Sequence, residues 1–139
     1  MSFREKSAWI SFVLILLVFG AYFWTVAQVL HGEMEPRTAF SIEVGLVIAF
    51  VLLQIVLHVV LAMQAPDEAR TPRDERERLI DMKATRVAFH VLVLGALASA
   101  GLMHMTRSVW VLGQHVVLAV VVAELVRFGG QILYYRRGV

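Results

Sequence analysis

The sequence predicts an all-helical membrane protein with four transmembrane helices. The chain has 139 residues, of which 59% are hydrophobic and 17% are charged, and its mean hydropathy is +0.72. Soluble proteins contain about 45–50% apolar and about 25% charged residues. Four apolar runs are long enough to cross a bilayer core, which needs about 20 residues in a helix. Backbone groups in hydrocarbon must be hydrogen-bonded within their own segment, so these runs predict helices.

The four predicted spans make up a single transmembrane domain covering the whole chain. They lie at about residues 8–29, 42–63, 84–104 and 109–130. The first is a retained span rather than a cleaved signal peptide, because it is too long and no small-x-small cleavage site follows it. The fourth is the most polar, with Gln114, His115, Glu124 and Arg127 in its length. We expect two consecutive hairpins that form a compact bundle.

One connection between the spans is substantial, and we call residues 64–86 the stalk. Pro66 ends the second span, and Thr71 can cap a new helix with Pro72 at its first position. We expect that helix to run unbroken into the third span. Its first twelve or so residues would then project about 18 Å from the membrane.

The positions of Lys and Arg predict that both termini lie in the cytoplasm. With the N-terminus inside, only Arg37 and Arg107 of the 13 Lys and Arg residues face outward, which satisfies the positive-inside rule. Aromatic residues then mark the outer interface at Tyr22, Trp24 and Trp110, and the inner one at Trp9, Tyr134 and Tyr135.

The stalk carries interspersed charges of both signs in Asp74, Glu75, Arg76, Glu77 and Arg78. The spacing predicts an ion pair between Asp74 and Arg78, which are four residues apart on a helix. A run of this kind is either a solvated face or a docking surface for a protein. Its near balance of charge favours protein recognition over nucleic acid.

The run from Asp74 to Arg78, followed by Leu79-Ile-Asp-Met-Lys83 and a span, also carries a resemblance. It resembles a loose group of small uncharacterised bacterial membrane proteins that have a D-E-R-type motif before a transmembrane helix. The similar part is about residues 74–105. The resemblance implies a multi-pass protein of the bacterial cytoplasmic (inner) membrane whose function is unassigned, and it transfers no catalytic residue.

The two predicted hairpins also resemble each other weakly. Residues 6–12 can be aligned with residues 83–89, since both segments begin with Lys and end with Phe. The two hairpins have the same predicted orientation, so this would be a parallel duplication rather than an inverted repeat.

Ionisable residues within the spans predict an intramembrane polar layer. Each costs about 2.5–3.5 kcal/mol to insert, so its position is informative. Counting along each helix from its centre places His58 about 8 Å, His90 about 6 Å and Glu124 about 7 Å to the cytoplasmic side of the midplane. Gln54 lies one turn from His58, and Arg127 lies one turn from Glu124.

Several functions fit this layer. Its members can hold helices together through hydrogen bonds worth about 0.6–2 kcal/mol each. They can form a proton relay, because His and Glu exchange protons near neutral pH. His58 and His90 can supply both axial ligands of a b-type haem, although no haem motif is present. A catalytic site is the remaining alternative, although no HExxH, G-x-S-x-G or Ser/His/Asp pattern appears.

We therefore predict no catalytic residue, no metal and no cofactor, with haem as a minor alternative. Histidines and glutamates near the outer surface match no metal-ligand spacing, which favours solvated groups; these are His31, Glu33, Glu35, Glu43, His104 and His115. The chain has no cysteine, so disulfides and thiolate sites are excluded. Small residues between Gly95 and Gly101 predict close helix packing in the third span.

The leading functional hypothesis is a non-enzymatic accessory or regulatory protein that docks a cytoplasmic partner on its stalk. The alternative is a small proton-linked transporter or channel that uses the polar layer. It would be a homo-oligomer, because four spans enclose little cavity. The third is a haem-binding membrane protein. The expected partners are the lipid bilayer, a cytoplasmic or membrane protein, and a second copy of the chain. A direct nucleic-acid partner is not expected, since the net charge is only +2.

Overall fold

The computed structural model describes residues 2–67, 72 and 74–137, and its regular structure there is helical. Its helices are α1 (Phe3–Leu30), α2 (Pro36–Gln64), α3 (Glu75–Thr106) and α4 (Val109–Arg137). All four are long and apolar enough to cross a membrane. The predicted fold class, an all-helical protein with four candidate transmembrane helices, is therefore confirmed.

The chain divides into two compact units, Met1–Thr71 and Pro72–Val139. In the first hairpin α1 packs against α2, and in the second α3 packs against α4. Less than half of the spanning part of each helix is buried within the chain, as expected of helices that face lipid or another membrane helix. The compact bundle and the cytoplasmic position of the termini stay predictions.

Short capping motifs and turns define where the helices of the first hairpin begin and end. The Ser2 hydroxyl accepts a hydrogen bond from the Glu5 N–H at 3.2 Å, which caps the start of α1. Gly32 has a φ of 73°, a left-handed conformation that glycine adopts without a steric penalty. Helix α2 then begins with Pro36 and ends before Pro66. Ala65 leaves the helical conformation, because a residue that precedes proline is disfavoured there.

Residues 107–108 connect the helices of the second hairpin. Arg107 adopts a left-handed φ of 52°, and its backbone N–H donates to the Met103 carbonyl at 2.8 Å. This is the αL termination motif of helices. Ser108 begins the next helix by accepting the Val111 N–H on its hydroxyl at 3.4 Å. So short a connection holds α3 and α4 antiparallel.

The stalk begins its helix later than the sequence predicts. Helix α3 starts at Glu75 rather than Pro72, because the Asp74 carboxylate accepts the Glu75 N–H at 2.7 Å and acts as the cap. Thr71, the predicted cap, lies outside the described residues. The predicted ion pair between Asp74 and Arg78 is not formed, since the Asp74 carboxylate serves the helix terminus instead.

The stalk is also less isolated than predicted, because α4 continues to Arg137 and lies beside it. Ile80 and Ala84 are each only 1% exposed. The Gln131 side-chain amide donates to the Asp81 carboxylate at 2.8 Å. A Cβ on Gly130 would lie 3.5 Å from that of Ala84, so the two backbones are close. The first turns of α3 are therefore anchored on α4 and do not project alone.

Candidate functional site

Two hydrogen bonds between side chains join α1 to α2 in the first hairpin. The Ser7 hydroxyl lies 2.8 Å from Nε2 of His58. The Gln54 amide donates to the Ser11 hydroxyl at 3.1 Å. On each helix the two participants are four residues apart, about one turn, so the bonds form successive rungs across the hairpin. We call Ser7, Ser11, Gln54 and His58 the polar ladder.

Hydrogen-bond geometry fixes which tautomer His58 adopts when its ring is neutral. Its Nδ1 lies 2.7 Å from the Gln54 backbone carbonyl, which can only accept, so Nδ1 carries a hydrogen. In the neutral ring Nε2 is then an acceptor, and the Ser7 hydroxyl donates to it. In the charged ring Nε2–H would donate to the same hydroxyl oxygen. Rotation of the Ser7 hydroxyl therefore accommodates either charge state of His58.

The polar ladder retains one unused acceptor. Ser11 is 1% exposed, and Gln54 and His58 are half-buried. The side-chain oxygen Oε1 of Gln54 is buried and accepts no hydrogen bond from the part of the chain that the structure describes. Buried polar atoms are normally satisfied, so an unsatisfied one is a place where a further donor can bind. Such a donor would lie one helical turn from His58.

In the second hairpin the predicted polar residues interact locally. Arg127 Nη2 lies 2.9 Å from Glu124 Oε2, and the two side chains are 34% and 41% exposed. The Arg127 guanidinium also lies 4.5 Å from the centre of the Phe128 ring, a cation–π distance. His90 is exposed, and its Nδ1–H donates to the Arg86 carbonyl at 2.7 Å. Each of these interactions joins two residues of the same helix.

The structure thus brings together two pairs of the predicted layer, Gln54 with His58 and Glu124 with Arg127. His58 belongs to the first compact unit, whereas His90 and Glu124 belong to the second. Each has the partners described above within its own hairpin. The meeting of these three residues in one layer stays a prediction.

Sequence reasoning missed three members of the first hairpin's polar interior. Ser7 and Ser11 carry no charge and lie near the start of an apolar helix, so only their four-residue spacing matches that of Gln54 and His58. Glu43 is 4% exposed, although the sequence favours a solvated group there. Its position in the hairpin explains the burial. Tyr22 follows Ser11 on α1 by the same number of residues by which Glu43 precedes Gln54 on α2, so Tyr22 and Glu43 lie at the same level of the hairpin. Tyr22 is also buried there, with 6% exposed.

The outer histidines are also bonded to their own helices. His31 donates Nδ1–H to the Ala27 carbonyl at 2.8 Å, and His115 donates to the Val111 carbonyl at 2.7 Å. Across residues 2–67, 72 and 74–137 no group of three or more His, Cys, Asp or Glu side chains could hold a metal ion.

Both hairpins fall within one known family. Residues 4–139 match the family described as predicted membrane protein DUF2178. The chain belongs to this family. No curated protein and no solved structure matches the chain. The description of the family gives a membrane protein and names no activity.

The haem alternative stays a prediction for this DUF2178 protein. An axial histidine ligates iron through one ring nitrogen, and its other N–H usually donates to a carbonyl or a carboxylate. Nδ1–H of His58 donates to the Gln54 carbonyl, so Nε2, which the Ser7 hydroxyl contacts, would be the ligating atom. Ligation would require loss of the rung to Ser7. We expect protein purified after haem-replete expression to show no Soret absorption; a Soret band that His58→Leu removes would contradict this.

Proposed function

We propose that this DUF2178 protein is a non-enzymatic accessory or regulatory protein of the bacterial inner membrane, which docks a cytoplasmic protein on stalk residues 74–78. One observation carries the proposal: this end of α3 is both exposed and anchored. Asp74, Glu75, Arg76 and Arg78 are exposed, while the nearby Ile80 is 1% exposed against α4. An anchored surface loses little conformational entropy when it binds, which favours recognition.

The chemistry of the stalk specifies the partner. Asp74 and Glu75 place negative charge at the start of α3, and Arg78 follows one turn later without an ion pair to any described residue. A partner with the opposite order of charges, basic and then acidic, would complement this surface. Such complementarity determines the orientation of the complex and its rate of formation more than its affinity.

Site-specific photo-crosslinking in cells tests the docking proposal. A photoreactive residue at Arg78 should give a discrete adduct with one cytoplasmic protein. The matched position Val93, which is 40% exposed on the same helix, should give none. Arg78→Glu should abolish the complex, and a reciprocal acidic-to-basic change in the identified protein should restore it. Equal adducts from both positions, or no rescue by charge exchange, would contradict the proposal.

The polar ladder supports a second candidate function, proton-linked transport. His58 can gain a proton with only a rotation of the Ser7 hydroxyl, and the unused oxygen of Gln54 provides a neighbouring acceptor. Intramembrane histidines of this kind occur on proton pathways. In this alternative a homo-oligomer would enclose the rest of the pathway.

Proton flux into proteoliposomes, followed with a pH-sensitive dye, tests the second candidate. We expect flux above that of empty vesicles, reduced at least ten-fold by His58→Leu. Glu124→Gln tests whether Glu124 belongs to the same pathway. His31→Gln is the control, because the hydrogen bond that His31 makes among the described residues stays within its own helix. Flux no greater than in empty vesicles, or unchanged by His58→Leu, would eliminate this candidate.

A further inference from the structure

The side of α3 that faces away from α4 carries an unusual set of residues near the cytoplasmic end of the predicted span. Buried Ile80, Ala84 and Ala88 mark the side that packs on α4. Met82, Arg86 and Phe89 recur at intervals of four and three residues on the opposite side, and Lys83 flanks them. We call Met82, Lys83, Arg86 and Phe89 the Arg86 face.

The Arg86 face combines exposed apolar surface with unpaired positive charge. Met82 and Phe89 are each 60% exposed, and together with Arg86 they line a shallow groove. Lys83 and Arg86 are exposed and form no ion pair with any residue in the described ranges. Asp81 also lines the groove, but its carboxylate accepts the Gln131 amide.

The order of Lys83, Arg86 and Phe89 along the helix matches the order of groups in a phospholipid. The cations of Lys83 and Arg86 lie toward the predicted cytoplasmic surface, and Phe89 lies about one turn deeper in the span. A lipid presents a phosphate at the surface and an acyl chain below it. Long basic side chains near helix ends extend toward the headgroups, where they attract anionic lipids.

We propose that the Arg86 face binds an anionic phospholipid of the inner leaflet, with its phosphate on Arg86 and an acyl chain along Phe89. Charge complementarity selects this occupant, because two neighbouring cations that form no ion pair with a described residue attract a net negative headgroup more than a neutral one. Free inorganic phosphate would satisfy Arg86 but would leave the exposed Phe89 ring uncovered. The site is separate from the stalk residues proposed to dock a protein.

Native mass spectrometry of the full chain, purified in detergent and titrated with defined lipids, tests the proposal. We expect phosphatidylglycerol to be retained in preference to phosphatidylcholine. Arg86→Gln should weaken phosphatidylglycerol binding about five-fold, and Arg86→Lys should keep most of it. Arg37→Gln makes the same charge change at the start of α2 and should leave binding unchanged. Because Arg86 is exposed, circular dichroism and elution volume should show both Arg86 variants folded.

Three results would overturn the proposal. They are wild-type affinity for phosphatidylglycerol in Arg86→Gln, equal retention of phosphatidylcholine, and complete competition by inorganic phosphate alone. A dimer that forms without lipid and is lost in Arg86→Gln would also overturn it, by assigning the face to a second copy of the chain. Phe89→Ala tests the deeper half of the site: it should weaken both lipids equally and leave the preference for phosphatidylglycerol unchanged.

Discussion

The two hairpins are held together by different interactions. In the first, the polar ladder joins α1 to α2 through hydrogen bonds between side chains. In the second, α3 and α4 approach so closely that a Cβ added to Gly95 would lie 2.6 Å from that of Ala119. The glycines within the first hairpin's helices, Gly20 and Gly45, have no such neighbour within 4 Å.

The two kinds of contact between helices occur at aligned positions of the two hairpins. When residues 6–12 are laid on residues 83–89, Ser7 corresponds to Ala84 and Ser11 to Ala88. The serines hydrogen-bond to α2, whereas Ala84 lies against the backbone of Gly130 on α4. A hydroxyl at these positions gives a bond between helices, and a methyl allows close contact.

This difference separates two roles. Small-residue packing in a membrane depends on van der Waals contact, which does not change with protonation. A ladder of hydrogen bonds depends instead on the direction of its donors and acceptors. The proton-linked candidate function would therefore use the first hairpin. The second is suited to hold the stalk and the Arg86 face in place.

Crowding the close contact of the second hairpin should have the largest effect. Gly95→Leu forces a side chain into Ala119, and we expect it to lower the free energy of unfolding by about 2–3 kcal/mol. Steric trapping in bicelles measures this change. Gly101→Leu is the matched control on the same helix, because an added Cβ there meets nothing within 4 Å. Equal losses for the two variants would show that close approach does not hold this hairpin together.

Removing the buried rung of the first hairpin should have the next largest effect. Ser11→Ala leaves the Gln54 amide without its acceptor in a site that is 1% exposed. We expect a loss of about 1–2 kcal/mol in the same unfolding measurement. Ser41→Ala is the control, because the exposed Ser41 hydroxyl donates only to its own helix at Arg37. If both alanine variants unfold alike, the ladder contributes little to the hairpin.

The rung between Ser7 and His58 can be measured as a coupling between the two side chains. A double-mutant cycle of Ser7→Ala and His58→Phe should give a coupling free energy of about 0.6–1 kcal/mol, the usual range for hydrogen bonds between membrane helices. The same cycle with Ser41→Ala in place of Ser7→Ala should give no coupling. Zero coupling between Ser7 and His58 would show that this rung contributes nothing to the stability of the hairpin.

The sequence predicts the helices better than their ends and partners. Runs of about 20 apolar residues leave no alternative to helix in hydrocarbon, and Pro66 stops α2 as expected. Competition between nearby capping groups is harder to judge, so Asp74 rather than Thr71 defines the start of α3 among the described residues. The predicted fourth span ends at about residue 130, whereas α4 continues to Arg137 and its Gly130 allows contact with Ala84.

The candidate site could be predicted only in part, for a similar reason. The spacing of Gln54 and His58 on one helix face follows from helical geometry alone. Ser7 and Ser11 could not be found in this way, because pairing between helices depends on a register that the sequence does not contain. Glu43 was missed because its burial depends on the same register.

Weakening the local ion pair of the second hairpin should have the smallest effect. Glu124 and Arg127 are three residues apart on α4 and partly exposed, so Glu124→Gln should lower the free energy of unfolding by only about 0.2–0.5 kcal/mol. Arg127→Gln removes the other partner together with its contact to the Phe128 ring and should cause a somewhat larger loss. A loss above about 1 kcal/mol for Glu124→Gln alone would exceed what a pair within one helix can supply. Glu124 would then have a partner besides Arg127, as the predicted polar layer requires.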